Sequence, residues 1–164
     1  MSAASTSRVA PATRRRSPTP HPLKPTDRPW IPMQLFGIAM LFGPLAGGVA
    51  AGLNFARLGR PGLRAGAILA GIILFAVEAA VLLVVPEQAA RMVATLANLG
   101  IGLGFMVSQK TTFAEWKVEH WDPAAGEGER YLPNRVGLLF LVGFACGAVQ
   151  FGVVFAALAM TGAL

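Results

Sequence analysis

Apolar and polar positions fall into blocks along this chain. Four stretches, 31–56, 65–85, 92–108 and 136–164, contain no Asp, Glu, Lys or Arg except Glu78. A helix on the surface of a soluble protein shows a polar face at every turn. These stretches show none, the pattern of helices surrounded by lipid or by other helices. At about 1.5 Å of rise per residue, roughly 20 residues cross a hydrocarbon core about 30 Å thick. Three stretches exceed that length, and the third, 17 residues long, stands at its lower limit. The pattern predicts an all-α protein, a four-helix transmembrane bundle with helices over 31–56, 65–85, 89–108 and 136–163. A disordered, Pro- and Arg-rich arm over 1–29 precedes it.

The first stretch is interrupted. Gly43-Pro44 lies near its middle, and proline lacks a backbone donor and clashes with the preceding helical turn. The expected outcome is one spanning helix kinked at Pro44. The competing reading is a re-entrant hairpin of two half-helices, each about 11 residues long. Small residues at close-packing spacing recur at Gly43/Gly47, Gly48/Gly52, Gly100/Gly104 and Gly143/Gly147. Such spacings let helix backbones approach closely in a membrane, so these eight are the predicted helix-packing positions.

The segment Phe42-Gly43-Pro44-Leu45-Ala46-Gly47-Gly48, followed by Asn54 and Arg57-Leu58-Gly59-Arg60, resembles a pattern of small, uncharacterised bacterial multi-pass membrane proteins. These have a Gly-Pro-Leu-Ala-Gly first helix, an Asn near its end and an Arg-Leu-Gly turn before a second apolar helix. The resemblance covers 42–85 and loosens beyond residue 92. It implies a four-helix architecture in a bacterial inner membrane, and it carries no chemistry to transfer.

Glu78 is the one ionisable side chain inside an apolar stretch. It lies seven residues before Val85, about 10 Å from that end of its helix. A carboxyl at such depth is costly and marks a functional site by default. The short 86–91 connection makes the next helix antiparallel, which puts Asn98 at nearly the same depth. Gln150 lies near the middle of the last stretch. Glu78, Asn98 and Gln150 therefore form the candidate intramembrane polar cluster. It reads either as interhelical hydrogen bonding, worth about 1 kcal/mol or less per contact, or as a proton- or cation-coupling site.

Composition narrows the remaining classes. With 54% hydrophobic and 13% charged residues, the chain is too apolar for a soluble domain of 164 residues. Its net charge of +6 lies in tail and loops, where it meets lipid headgroups, and gives no nucleic-acid signal. Glu115, Glu119, His120 and Asp122 lack metal-ligand spacing, and the two histidines, His21 and His120, lie outside the apolar stretches. Lone Cys146 offers no internal disulfide. Neither a catalytic set nor a cofactor or metal site is expected, so the chain reads as a non-enzyme. The expected partners are the bilayer and either a second copy or another membrane protein. A mitochondrial membrane is the alternative location, against which the prolines of the arm argue.

Four crossings would put both chain ends on one face. Arg14, Arg15, Arg16, Lys24, Arg28 and Arg91 would then oppose Arg57, Arg60, Arg64, Lys110, Lys117, Arg130 and Arg135, a near-even split that fixes no orientation. The basic arm resists translocation and favours both ends inside. The reading is an accessory or structural membrane component, with a small oligomeric transporter using Glu78 as the alternative.

Overall fold

The computed structural model describes residues 28–119 and 136–160. It contains four helices, α1 (Pro32–Arg57), α2 (Gly62–Val84), α3 (Glu87–Glu119) and α4 (Val136–Met160), and no strand among the described residues. Each helix is long and apolar enough to cross a membrane. The chain is an all-α, multi-pass integral membrane protein. Residues 1–27 of the expected disordered arm and the 120–135 connection lie outside the described residues.

α1 is the centre of the bundle. Of its most apolar stretch 61% is buried, against 6–11% for the other three helices, which surround it. They lean on α1 and touch one another little. α1 starts at Pro32, where a missing N–H costs nothing. Ahead of it, the Ile31 N–H donates to Gln34 Oε1 at 3.2 Å, and the Gln34 N–H donates to the Ile31 carbonyl at 2.9 Å. It stops at Gly59, whose φ of 74° is left-handed. There the Arg60 N–H reaches the Phe55 carbonyl at 2.9 Å and the Gly59 N–H reaches that of Ala56 at 3.3 Å, the two bonds of a Schellman cap. Pro61 then prevents continuation.

Between these ends α1 does not run straight. Gly43 has φ 84° and ψ −177°, a conformation open essentially to glycine alone. Pro44 reinforces the break, because a residue before proline is pushed out of the α region. The chain turns back on itself. The Trp30 N–H donates to Asn54 Oδ1 at 2.6 Å, although a straight helix would hold residues 24 apart about 36 Å from each other. A Cβ built on Gly47 would lie 2.6 Å from that of Ala39, eight residues earlier. Leu35 and Ile38 share one buried cluster with Ala46 and Ala50. The expected kinked spanning helix is therefore corrected to the competing hairpin: residues 32–42 and 44–57 are antiparallel arms, and Pro44 marks a reversal instead of a kink.

Neither arm is long enough to span by itself. Eleven and fourteen residues extend about 16 and 21 Å, half to two-thirds of a hydrocarbon core. Small residues let the other helices close around them. A Cβ on Gly48 would fall 2.5 Å from the Gly71 Cα of α2, and one on Gly52 would meet the Arg64 carbonyl at 2.8 Å. Gly143 of α4 seats the Phe42 ring, which also packs edge-on against Phe140 and Phe144 with centroids 6.1 and 4.9 Å away. On α3 the contact falls on Gly102, 3.0 Å from the Phe36 ring by the same construction. The predicted packing pair Gly100/Gly104 has nothing within 4 Å. Those two point away from α1 because Gly102, Phe105 and Gln109 form the helical face that meets the hairpin.

α3 continues to Glu119, eleven residues past its predicted end. The extension covers the 58–60 turn, with Trp116 buried and Arg60 paired to Glu115 at 3.3 Å. Both partners of that ion pair are more than half exposed, so it adds little.

The reversal makes one glycine in the first arm indispensable and another dispensable. Gly43→Ala should lose about 1–3 kcal/mol from backbone strain alone, and its Cβ would strike the Gln150 side chain. Gly37→Ala meets no atom within 4 Å and should be neutral or stabilising. Reversible unfolding in mixed micelles compares the two, and equal losses would contradict the hairpin turn.

Candidate functional site

A broken helix inside a membrane leaves backbone groups that lipid cannot satisfy. The hairpin has two such places, its base and its tip, and each is closed by a carboxamide.

At the base, Asn54 is fully buried. Its Oδ1 accepts from the Trp30 N–H at 2.6 Å, and its Nδ2 donates to the Trp30 carbonyl at 3.0 Å and to Gln109 Oε1 at 2.6 Å. Gln109, also fully buried, donates through Nε2 to the Ala51 carbonyl at 2.9 Å. The Arg57 guanidinium lies 3.9 Å over the Trp30 ring, a cation–π contact at the end of the second arm. One Asn and one Gln thus tie the entry of the hairpin, its exit and α3 together. The sequence reading noted Asn54 only as part of a resemblance and missed Gln109 as a structural residue. Their 55-residue separation hid the pairing. The available signal was that both are uncharged polar residues at the edge of an apolar stretch.

At the tip, the first arm ends in unpaired carbonyls and the second begins with unpaired N–H groups. Gln150 reaches across from α4 and takes one of each. Its Nε2 donates to the Phe42 carbonyl at 2.8 Å, and its Oε1 accepts from the Leu45 N–H at 2.8 Å. The side-chain amide stands in for the peptide contact that Gly43-Pro44 removes. Only glycine at 43 leaves room for it.

Beside the tip is a cavity of about 340 Å³. Leu41, Phe42 and Gly43 form one wall, and Glu78, Asn98 and Gln150 are all among its lining residues. The three members of the predicted polar cluster therefore face one space, but no hydrogen bond joins them. Gln150 is committed to the hairpin backbone. Asn98 Oδ1 is buried and has no hydrogen-bond partner among the described residues. Glu78 is partly buried and makes no hydrogen bond or ion pair with any described residue. The cavity thus presents one carboxyl and one amide with unused capacity, against a wall of broken backbone.

Two other spaces differ in character. An apolar groove of about 520 Å³ between α2 and α3 includes Gly66, Gly100 and Gly104 in its lining. A polar space of about 320 Å³ lies under the α3 extension beside Arg60, Glu115 and Glu119. Among the described residues no three His, Cys, Asp or Glu side chains gather in a metal-binding group. No family model, no curated protein and no solved structure matches this chain.

The two carboxamide closures make separable predictions. Gln150→Leu, close in size but unable to pair with the turn, should cost about 1–3 kcal/mol in the same micelle unfolding assay. Asn54→Ala and Gln109→Ala should be non-additive, with a coupling of about 0.5–3 kcal/mol in a double-mutant cycle, whereas either one paired with Gln150→Leu should be additive.

Proposed function

We propose that the protein is a small ion-coupled transporter of the bacterial inner membrane, with Glu78 as the proton- or cation-coupling carboxylate. The observation that carries this reading is the unused hydrogen-bonding capacity of Glu78 and Asn98 in the cavity beside the hairpin tip. Had the cluster served only to join helices, its members would satisfy one another. Only Gln150 does that work, and it does so for the backbone. A carboxyl kept at this depth without a partner among the described residues is expensive unless it meets a proton, a cation or water.

The broken helix supports the same reading. Discontinuous helices near the bilayer midplane, with exposed carbonyls at one half-helix end and N–H groups at the other, are a means of building ion sites in membranes. Here the last residues of the first arm, Leu41 and Phe42, border the Glu78 cavity, so a cation would find a formal charge beside the negative end of that arm's dipole. No step in this reading is enzymatic. The hairpin blocks the cavity on its other side, so turnover requires the hairpin or its neighbours to move. A second copy is the natural partner, because one chain supplies few polar positions for a pathway.

The other reading, a non-enzymatic accessory component, accounts for Asn54, Gln109 and Gln150 but leaves Glu78 and Asn98 without a role. Reconstituted vesicles separate the two. With a potassium diffusion potential and a trapped pH dye, the wild type should carry pH-dependent proton flux. Glu78→Gln should abolish it while keeping the fold, judged by an unchanged micelle unfolding curve. Flux that survives Glu78→Gln, or a folded wild type that carries none with either protons or sodium as the driving ion, would reject the transporter.

A further inference from the structure

We infer that the chain crosses the membrane three times, with the hairpin entering and leaving through the cytoplasmic face, and that the Glu78 cavity is a vestibule open to the opposite face. The first part follows from the reversal. Trp30 and Asn54 are hydrogen-bonded, so the segment before α1 and the turn after it lie on the same side. α2 then crosses, α3 returns, and α4 crosses again. α3 returns to the same side as the hairpin base, since Gln109 bonds Asn54 and Ala51 there. The segment before α1 and the end of α4 then fall on opposite faces, against the expectation that both lie inside.

This connectivity re-sorts the charges. Of the 14 Lys and Arg residues, Arg8, Arg14, Arg15, Arg16, Lys24 and Arg28 precede the hairpin. Arg57, Arg60 and Arg64 flank the turn after it, and Lys110, Lys117, Arg130 and Arg135 lie at or beyond the end of α3 that meets the hairpin base. All thirteen belong to one face. Arg91, near the α2–α3 turn, is the single one on the other. A straight α1 gives a near tie, and the hairpin gives thirteen against one. All but Arg8 fall within the roughly 20 residues of an apolar helix end over which the positive-inside bias acts. The basic face is therefore cytoplasmic.

The second part follows from the length of the arms. They occupy only the basic half of the bundle, so beyond the tip α2, α3 and α4 have no central helix between them. The cavity is that space. Its α2 lining runs from Phe75 to Leu82, two residues before the helix ends at Val84, and its α4 lining runs from Gly147 to Val154. No lining residue comes from the first thirteen residues of α2 or the first eleven of α4, the portions beside the arms. The hairpin tip is the floor, and the rest of the lining lies on the half of the bundle away from the basic residues. For Glu78 as a coupling carboxylate this places ion entry on the extracytoplasmic side. That consequence rests on the transporter reading, whereas the topology does not.

Single cysteines in a Cys146→Ser background test both parts through labelling by a membrane-impermeant maleimide in bacterial spheroplasts. Arg28→Cys and Arg60→Cys should label only after permeabilisation, and Gln88→Cys should label in intact spheroplasts. Leu82→Cys and Val154→Cys, two independent reporters of the cavity, should label from outside, at least several-fold faster than Leu69→Cys on a lipid-facing position. Opposite accessibility at 28 and 60 would restore a spanning α1. Labelling of both in intact spheroplasts would reverse the orientation. Cavity cysteines that react only after permeabilisation, or not at all, would overturn the vestibule. None of these readouts depends on flux, so loss of the vestibule and loss of the transporter reading are separate results.

Discussion

Everything in this fold depends on a chain reversal made at Gly43-Pro44 in the middle of a membrane. Lipid offers no hydrogen bonds, so backbone may leave the helical ladder at that depth only where protein supplies the missing partners. The turn here meets that constraint with one side chain. The Gln150 amide donates its N–H to the Phe42 carbonyl and accepts the Leu45 N–H at its oxygen. Asn54 does the equivalent for Trp30 at the open end. Both carboxamides can donate and accept at once, which is what a broken peptide ladder requires and what a hydroxyl or a carboxylate does less well.

The rest of the architecture follows from a hairpin that needs covering. Between helices in lipid there is little hydrophobic driving force, so association rests on close packing and polar contacts. The three outer helices accordingly meet the hairpin through glycines, Gly71 on α2, Gly102 on α3 and Gly143 on α4, and leave much of their own apolar surface to lipid. Because the arms reach only about mid-depth, covering them also creates a space beyond the tip. The fold device and the candidate site are thus one feature: the wall of the Glu78 cavity is the turn that Gln150 stabilises.

Much of this was legible in the residues. Charge-free stretches gave the all-α membrane fold, and depth counting along antiparallel helices put Glu78, Asn98 and Gln150 together, since all three line one cavity. The direction of α1 was harder to read. A 26-residue apolar stretch is long enough to span, and Gly-Pro is compatible with a kink as well as a reversal. What separates the two is tertiary: whether Asn54 finds Trp30, and whether a side chain 105 positions later caps the turn. Glycine spacing was equally ambiguous. Gly100/Gly104 has the better motif, yet the isolated Gly102 makes the contact, because the face of α3 that meets the hairpin is set by Phe105 and Gln109. The inferred orientation depends on the same reversal, since removing one crossing moves every later loop to the other side.

The most direct test of the hairpin is a distance. Spin labels at Met33→Cys and Arg60→Cys, in a Cys146→Ser background and a lipid nanodisc, would lie about 40 Å apart on a straight helix at 1.5 Å per residue. A reversal at Gly43 predicts a narrow distribution below about 20 Å, since the two ends of the hairpin are hydrogen-bonded to each other. A distribution centred near the straight-helix value would contradict the reversal, and with it the three-crossing topology and the vestibule.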